Sequence, residues 1–202
     1  MKARIKALLL DLDDTLLIND TEQFLRPYFS LLVSKVQGVC SPERFMDALL
    51  QGTSAMMRND GSNGSNAKVF FDVFYPLVQV DPQVLRPMLD AFYENDFDQL
   101  RVHAGVDPDA RRLVDEATAR GYQLAVATQP IFPLRAIEAR LAWAGVSVND
   151  CSYDFVAHYE GMAAVKPHPH YWTTVLEHLD RVPAECLMVG DSAQYDMPAR
   201  EY

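Results

Sequence analysis

The chain has 202 residues, 49% hydrophobic and 23% charged, a globular balance long enough to bury one core; it excludes disordered, collagen-like and disulfide-scaffold classes. Its 18 Lys and Arg against 28 Asp and Glu leave a net charge of −10. That charge argues against broad binding to nucleic acid or to an anionic membrane, yet it allows a small anion at one locally positive site.

In chain order, basic residues in Met1–Lys6 followed by Ala7–Leu10 imitate the start of a signal peptide, but the apolar run is too short and Asp11 ends it. No stretch approaches membrane-spanning length. The run Ala7–Leu12 predicts a first strand, buried on both faces as in a parallel sheet. Residues 17–102 lack clear strand runs. Phe24-Leu25, Tyr28-Phe29, Leu31-Leu32 and Val36 predict a helix kinked or restarted around Pro27, while Ser41-Pro42 and Asp81-Pro82 read as two further helix starts. Between those starts, Arg58–Asn66 is the most loop-like stretch of the chain. Phe70, Phe71, Phe74 and Tyr75 are expected to be core of this helical block; Arg58 and Lys68 are expected to be solvated.

Strands and helices alternate after residue 102. Asp107-Pro108-Asp109 caps a helix that stops at Gly121, and a second helix runs from near Pro133 to Gly145. A third carries Trp172, Val175, Leu176 and Leu179 on one face. The runs Gln123–Thr128, Tyr153–Ala157 and Cys186–Gly190 complete a predicted α/β fold with a mainly parallel sheet. Cys40, Cys151 and Cys186 form no framework and no CxxC pair, so a reducing, cytoplasmic setting is expected.

In open α/β sheets the site lies at the carboxyl ends of the strands. Here the first run ends in Asp11-Leu12-Asp13-Asp14-Thr15, the second in Thr128-Gln129, and the fourth in Gly190-Asp191-Ser192 with Asp196 beyond; Lys166-Pro167 lies in the loop after the third. Packing alone does not gather acids on one rim, whereas a cation that neutralises them does. A local hydrogen bond of Thr15 is expected to shape the turn, and Asp14 and Ser192 read as turn or cap residues. His168-Pro169-His170 is weak as a metal motif, and His103 and His158 read as structural or exposed.

These residues resemble the haloacid dehalogenase-like (HAD) hydrolases. Asp11-Leu12-Asp13-Asp14-Thr15 is similar to their DxDxT motif, Thr128 to the Ser or Thr closing the second strand, Lys166 to the third motif, and Gly190-Asp191 through Asp196 to GDxxxxD. The resemblance implies a Rossmann-like parallel-sheet core (1–16 and 103–202) with an inserted helical cap of the C1 type (17–102). It further implies Asp11 as nucleophile, Asp13 as acid and base, and Thr128 and Lys166 on the phosphate. Mg²⁺ is expected on Asp11, the Asp13 carbonyl and Asp191, with Asp196 as ligand or support. Asp13 favours phosphate over halide transfer, because halide leaves without protonation.

The expected activity is hydrolysis of a small phosphorylated metabolite (phosphoglycolate-, sugar-phosphate- or nucleotide-like) by a cytoplasmic monomer or homodimer, with neither nucleic acid nor membrane as partner. Phosphosugar mutase chemistry and a non-catalytic binding module are the alternatives. Two departures stand out. Gln129 replaces an Asn frequent in the family, and Asp196-Met197-Pro198 is followed by only four residues, so the family's last helix and edge strand are expected to be missing from this sequence.

Overall fold

The computed structural model describes residues 4–202, so the first three residues of the signal-like start lie outside the described residues. Four strands, β1 (Ala7–Leu10), β4 (Gln123–Val126), β5 (Phe155–Val156) and β6 (Cys186–Val189), form one parallel sheet in the order β5-β4-β1-β6. Central β1 is buried throughout, with Leu8 in register with Leu124 on one side and Leu187 on the other. Its side chains alternate between two cores, as a strand's two-residue period requires. Leu8 and Leu10 join the larger core shared with the helical block, whereas Ala7 and Leu9 pack with Tyr171, Trp172, Val175 and Leu179. Among the described residues β6 pairs only with β1, leaving its outer side bare and Leu187 exposed.

The helical block comprises α1 (Thr21–Lys35), α2 (Pro42–Met57), α3 (Asn66–Val78) and α4 (Pro82–Asn95). The Ser41 and Asp81 side chains accept from Arg44 N (3.4 Å) and Gln83 N (2.8 Å), and each is followed by proline at the first helical turn, where the missing N–H costs no bond. Helices α2 and α3 pack closely because Gly52 has no side chain: a Cβ there would lie 2.7 Å from the Phe70 ring. Of the expected kink or restart at Pro27, the restart does not occur: helix α1 runs through Pro27. Phe24, Tyr28, Leu32 and Val36 are all buried along one face, and that burial outweighs one lost backbone bond.

A second correction concerns strands. The stretch read as purely helical begins with β2 (Leu17–Asn19), which pairs antiparallel with β3 (Ala104–Val106) and so brings the two ends of the block together. Three-residue strands carry too few residues to show a period. The C-terminal half follows the predicted order, with α5 (Pro108–Ala119), α6 (Leu134–Trp143) and α7 (Pro169–Leu179) between the strands. Pro198 sits in the first turn of a short 3-10 helix, Met197–Glu201. The three cysteines are free thiols, and no helix among the described residues is long and apolar enough to cross a membrane.

Candidate active site

The loop leaving β1 is wound tightly. Asp11 N donates to Val189 O (2.9 Å), and Leu12 O accepts from the amides of Thr15, Leu16 and Leu17. Asp14 takes the left-handed φ of 53° that this reversal requires, and its side chain accepts from Asn19 N (3.1 Å). Thr15 makes its local bond through the backbone, Thr15 N donating to Leu12 O (3.3 Å), while its Oγ1 is buried without a partner.

Three buried charges meet at the sheet's carboxyl end. Lys166 Nζ donates to Asp11 Oδ1 (2.7 Å) and to Asp196 Oδ1 (2.5 Å), and all three residues are at most 6% exposed. Lys166 is held from behind by Gln129, whose Oε1 accepts from Lys166 N (2.8 Å) and whose Nε2 donates to Lys166 O (3.2 Å). That clamp uses the longer amide where the family frequently has Asn. Asp196 Oδ2 accepts from Ser192 N (3.0 Å), and Gly190 leaves it room, since a Cβ there would lie 2.3 Å from that oxygen. Burial pushes the Asp11 carboxyl above its ordinary 3.8, and the Lys166 charge opposes the rise.

Asp191 is exposed and completes a cluster with Asp11 and Asp196 in which one oxygen of each lies within 4.8 Å of the others. The donors are all hard carboxylate oxygens, the set suited to Mg²⁺ and ill-suited to a soft metal. Thr128 is buried one residue past Ala127, whose amide donates to Leu10 O (2.7 Å), so it leaves the sheet alongside Asp11. Its carbonyl accepts from the Tyr171 hydroxyl (2.9 Å), which stays protonated because burial, helped by the charges of Asp11 and Asp196, lifts its pKa far up.

Asp13 lies outside the Lys166 cluster, with partners that the motifs do not announce. Its Oδ1 accepts from Asn19 Nδ2 (2.9 Å) and pairs with Arg140 Nη2. Arg140 is 2% exposed, and its guanidinium also lies over the rings of Phe132 (5.2 Å) and Phe24 (5.4 Å). Burial lowers its pKa to about 10, so it remains a cation at neutral pH. A legible signal existed: Arg140 shares the face of Ala136, Ile137 and Leu141, and a charge on an apolar helical face calls for a partner.

The weaker candidates resolve into local roles. His168 Nδ1 accepts from His170 N (3.2 Å) and caps α7, while the His170 ring packs on Gly61. His158 Nδ1 bonds Glu160 Oε2 (2.7 Å), and Arg58 and Lys68 bond their own helix neighbours Ser54 and Asp72. The loop-like stretch holds two buried polar residues. Asn66 Nδ2 donates to Pro130 O and Ala164 O (both 3.1 Å), and Asn59 Nδ2 donates to Asn66 Oδ1 (2.9 Å), so this loop is bonded to the segments carrying Thr128 and Lys166.

Comparison with known proteins identifies the family and the fold. A family model for haloacid dehalogenase-like hydrolases matches residues 5–201. A HAD phosphatase from Thermococcus onnurineus superposes with TM-score 0.57 at 21% identity, covering 98% of this chain and 82% of that one. CbbY from Rhodobacter sphaeroides in complex with phosphate gives 0.55 at 23%, over 94% and 79%. L-2-haloacid dehalogenase from Xanthobacter autotrophicus gives 0.54 at 20%, over 98% and 74%. No curated protein sequence matches significantly. Phosphatases and a dehalogenase thus share the fold, and the chemistry has to be read from the side chains.

Proposed function

The chain belongs to the haloacid dehalogenase-like hydrolases, and from that premise we propose that it hydrolyses a small phosphomonoester through an aspartyl-phosphate on Asp11. The observation that carries this reading is Asp13, an acid two residues beyond the nucleophile and held by Asn19 and Arg140. A halide needs no proton to leave; an alkoxide does.

In the first step an Asp11 carboxylate oxygen attacks phosphorus, the ester P–O bond breaks, and Asp13 gives its proton to the departing oxygen. In the second, the Asp13 carboxylate takes a proton from water as that water attacks the phosphoryl group, releasing phosphate and restoring Asp11. Lys166 and Thr128 hold the phosphoryl oxygens as charge spreads over them. Asp11, the Asp13 carbonyl and Asp191 would hold Mg²⁺, with Asp196 as further ligand or support; when bound it supplies the charge that lets a phosphate dianion approach a carboxylate. Residues 17–102 act as the cap, closed by the β2–β3 ribbon, and 1–16 with 103–202 as the catalytic core.

Phosphate release from a panel of phosphomonoesters, with Mg²⁺ and with chelator, tests this. Mg²⁺-dependent, stoichiometric release is the expected result. Transfer to a second hydroxyl without phosphate release would place the enzyme among mutases instead.

A further inference from the structure

The loops that carry Thr128 and Lys166 lie side by side, yet among the described residues no backbone hydrogen bond joins segment 128–130 to segment 164–166. Two side-chain amides join them instead. Gln129, within the core, bonds the backbone N–H and carbonyl of Lys166. Asn66, the first residue of α3, supplies the other amide from the helical block. Its Nδ2 donates to Pro130 O and to Ala164 O, each at 3.1 Å. Those acceptors lie two residues after Thr128 and two residues before Lys166. One planar amide therefore bridges the two loops and fixes their spacing.

Asn66 is itself fixed from several directions. Its backbone N–H donates to Met162 O (2.7 Å), and the next amide, Ala67 N, donates to Tyr159 O (2.8 Å). Its Oδ1 accepts from Asn59 Nδ2 (2.9 Å), which also donates to Gly64 O (2.9 Å). The same stretch makes an isolated antiparallel bridge, Asp60 with Ala164. Asn59 and Asn66 are at most 3% exposed. An apolar side chain of the same size would be buried at lower cost, so what distinguishes Asn66 is its pair of donors. Both donors are used on the loops, which leaves none for a substrate.

We infer that Asn66 is a positioning residue of the phosphate site: from the helical block it holds the Thr128 and Lys166 loops at the spacing a phosphoryl group requires. The inference rests on the phosphatase reading for the roles of Thr128 and Lys166. A shift of about 1 Å in such groups is enough to cost about 100-fold in rate.

The test is a double-mutant cycle on the full chain with Mg²⁺, using whichever phosphomonoester of the panel the wild type turns over fastest. Wild type, Asn66→Ala, Thr128→Ala and the double variant are assayed at a temperature where circular dichroism shows each to be folded. Asn66→Ala is expected to lower kcat about 100-fold. In the Thr128→Ala background the same substitution should cost less than about 10-fold, because one of the groups it positions is gone. If Asn66→Ala does not fold, Asn59→Ala takes its place in the cycle; it leaves the Asn66 amide present but unoriented, and a fall of about 10-fold with the same non-additivity is expected. A lowered melting temperature with unchanged kcat would overturn the inference, and so would equal losses in the two backgrounds. A wild type that hydrolyses no phosphomonoester would instead remove the phosphatase reading, and the positioning role with it.

Discussion

The sheet rim and the cavity of about 390 Å³ between helices α1–α4 and the loops after β4 and β5 solve opposite problems a few residues apart. At the rim, buried polar groups are gathered and made to face each other: Lys166 between Asp11 and Asp196, and Arg140 against Asp13. In the cavity the walls are mainly aromatic and aliphatic carbon, with ion pairs such as Arg86–Asp90 among them. Under the proposed mechanism the rim's charges meet a phosphate dianion and a cation, whereas the cavity walls are mainly apolar. The two regions are thus built from different kinds of interaction, and each kind can be disturbed separately.

The largest expected effect lies at the rim. Lys166→Ala leaves Asp11 and Asp196 buried and uncompensated, at a cost of about 3–5 kcal/mol in stability. Urea unfolding of the metal-free protein reads this directly, and a loss under about 1 kcal/mol would mean that the charges are solvated. Arg140 lies between the two regions, its guanidinium on Asp13 and over Phe24 and Phe132. Arg140→Met keeps the packing volume but frees Asp13, and kcat should fall about 100-fold through lost positioning. Unchanged kcat with a lowered melting temperature would make Arg140 merely structural.

Smaller effects follow at the seam and at Asp11. Asn66→Ala strands the carbonyls of Pro130 and Ala164 and should cost about 1–3 kcal/mol in the same unfolding assay. Without metal, Asp11→Asn should instead leave the protein as stable as wild type or slightly more so at neutral pH. The folded-state pKa of Asp11 is raised, so ionising it opposes folding; the penalty grows as pH rises above the unfolded value near 3.8 and vanishes below it. The variant's advantage should therefore fade on acidification, and a constant advantage across pH would contradict the sign of that shift.

The two regions were unequally legible in sequence. Asp11 and Thr128 follow β1 and β4, Asp191 and Asp196 follow β6, and Lys166 lies in the loop after β5, so local pattern alone places all five at one sheet end. Asn19 could not be placed this way, because its strand is three residues long. Arg140 belongs to no motif, and its only signal is that its helical neighbours at i−4, i−3 and i+1 are all apolar and buried. Asn59 and Asn66 lay in a Gly-, Ser- and Asn-rich stretch whose composition signals a solvated loop, whereas their side chains are spent on tertiary bonds. The cavity takes its walls from four helices and the loops after β4 and β5, and no local period reports which faces will meet.

The proposed mechanism requires Asp11 to become covalently phosphorylated. Acid quench of the wild-type enzyme during turnover of a radiolabelled phosphomonoester, followed by peptide mapping, should leave phosphate on the peptide containing Asp11. Hydroxylamine should remove that label, and Asp11→Asn should show neither label nor turnover. Turnover that persists in Asp11→Asn, or a label on any other residue, would contradict it.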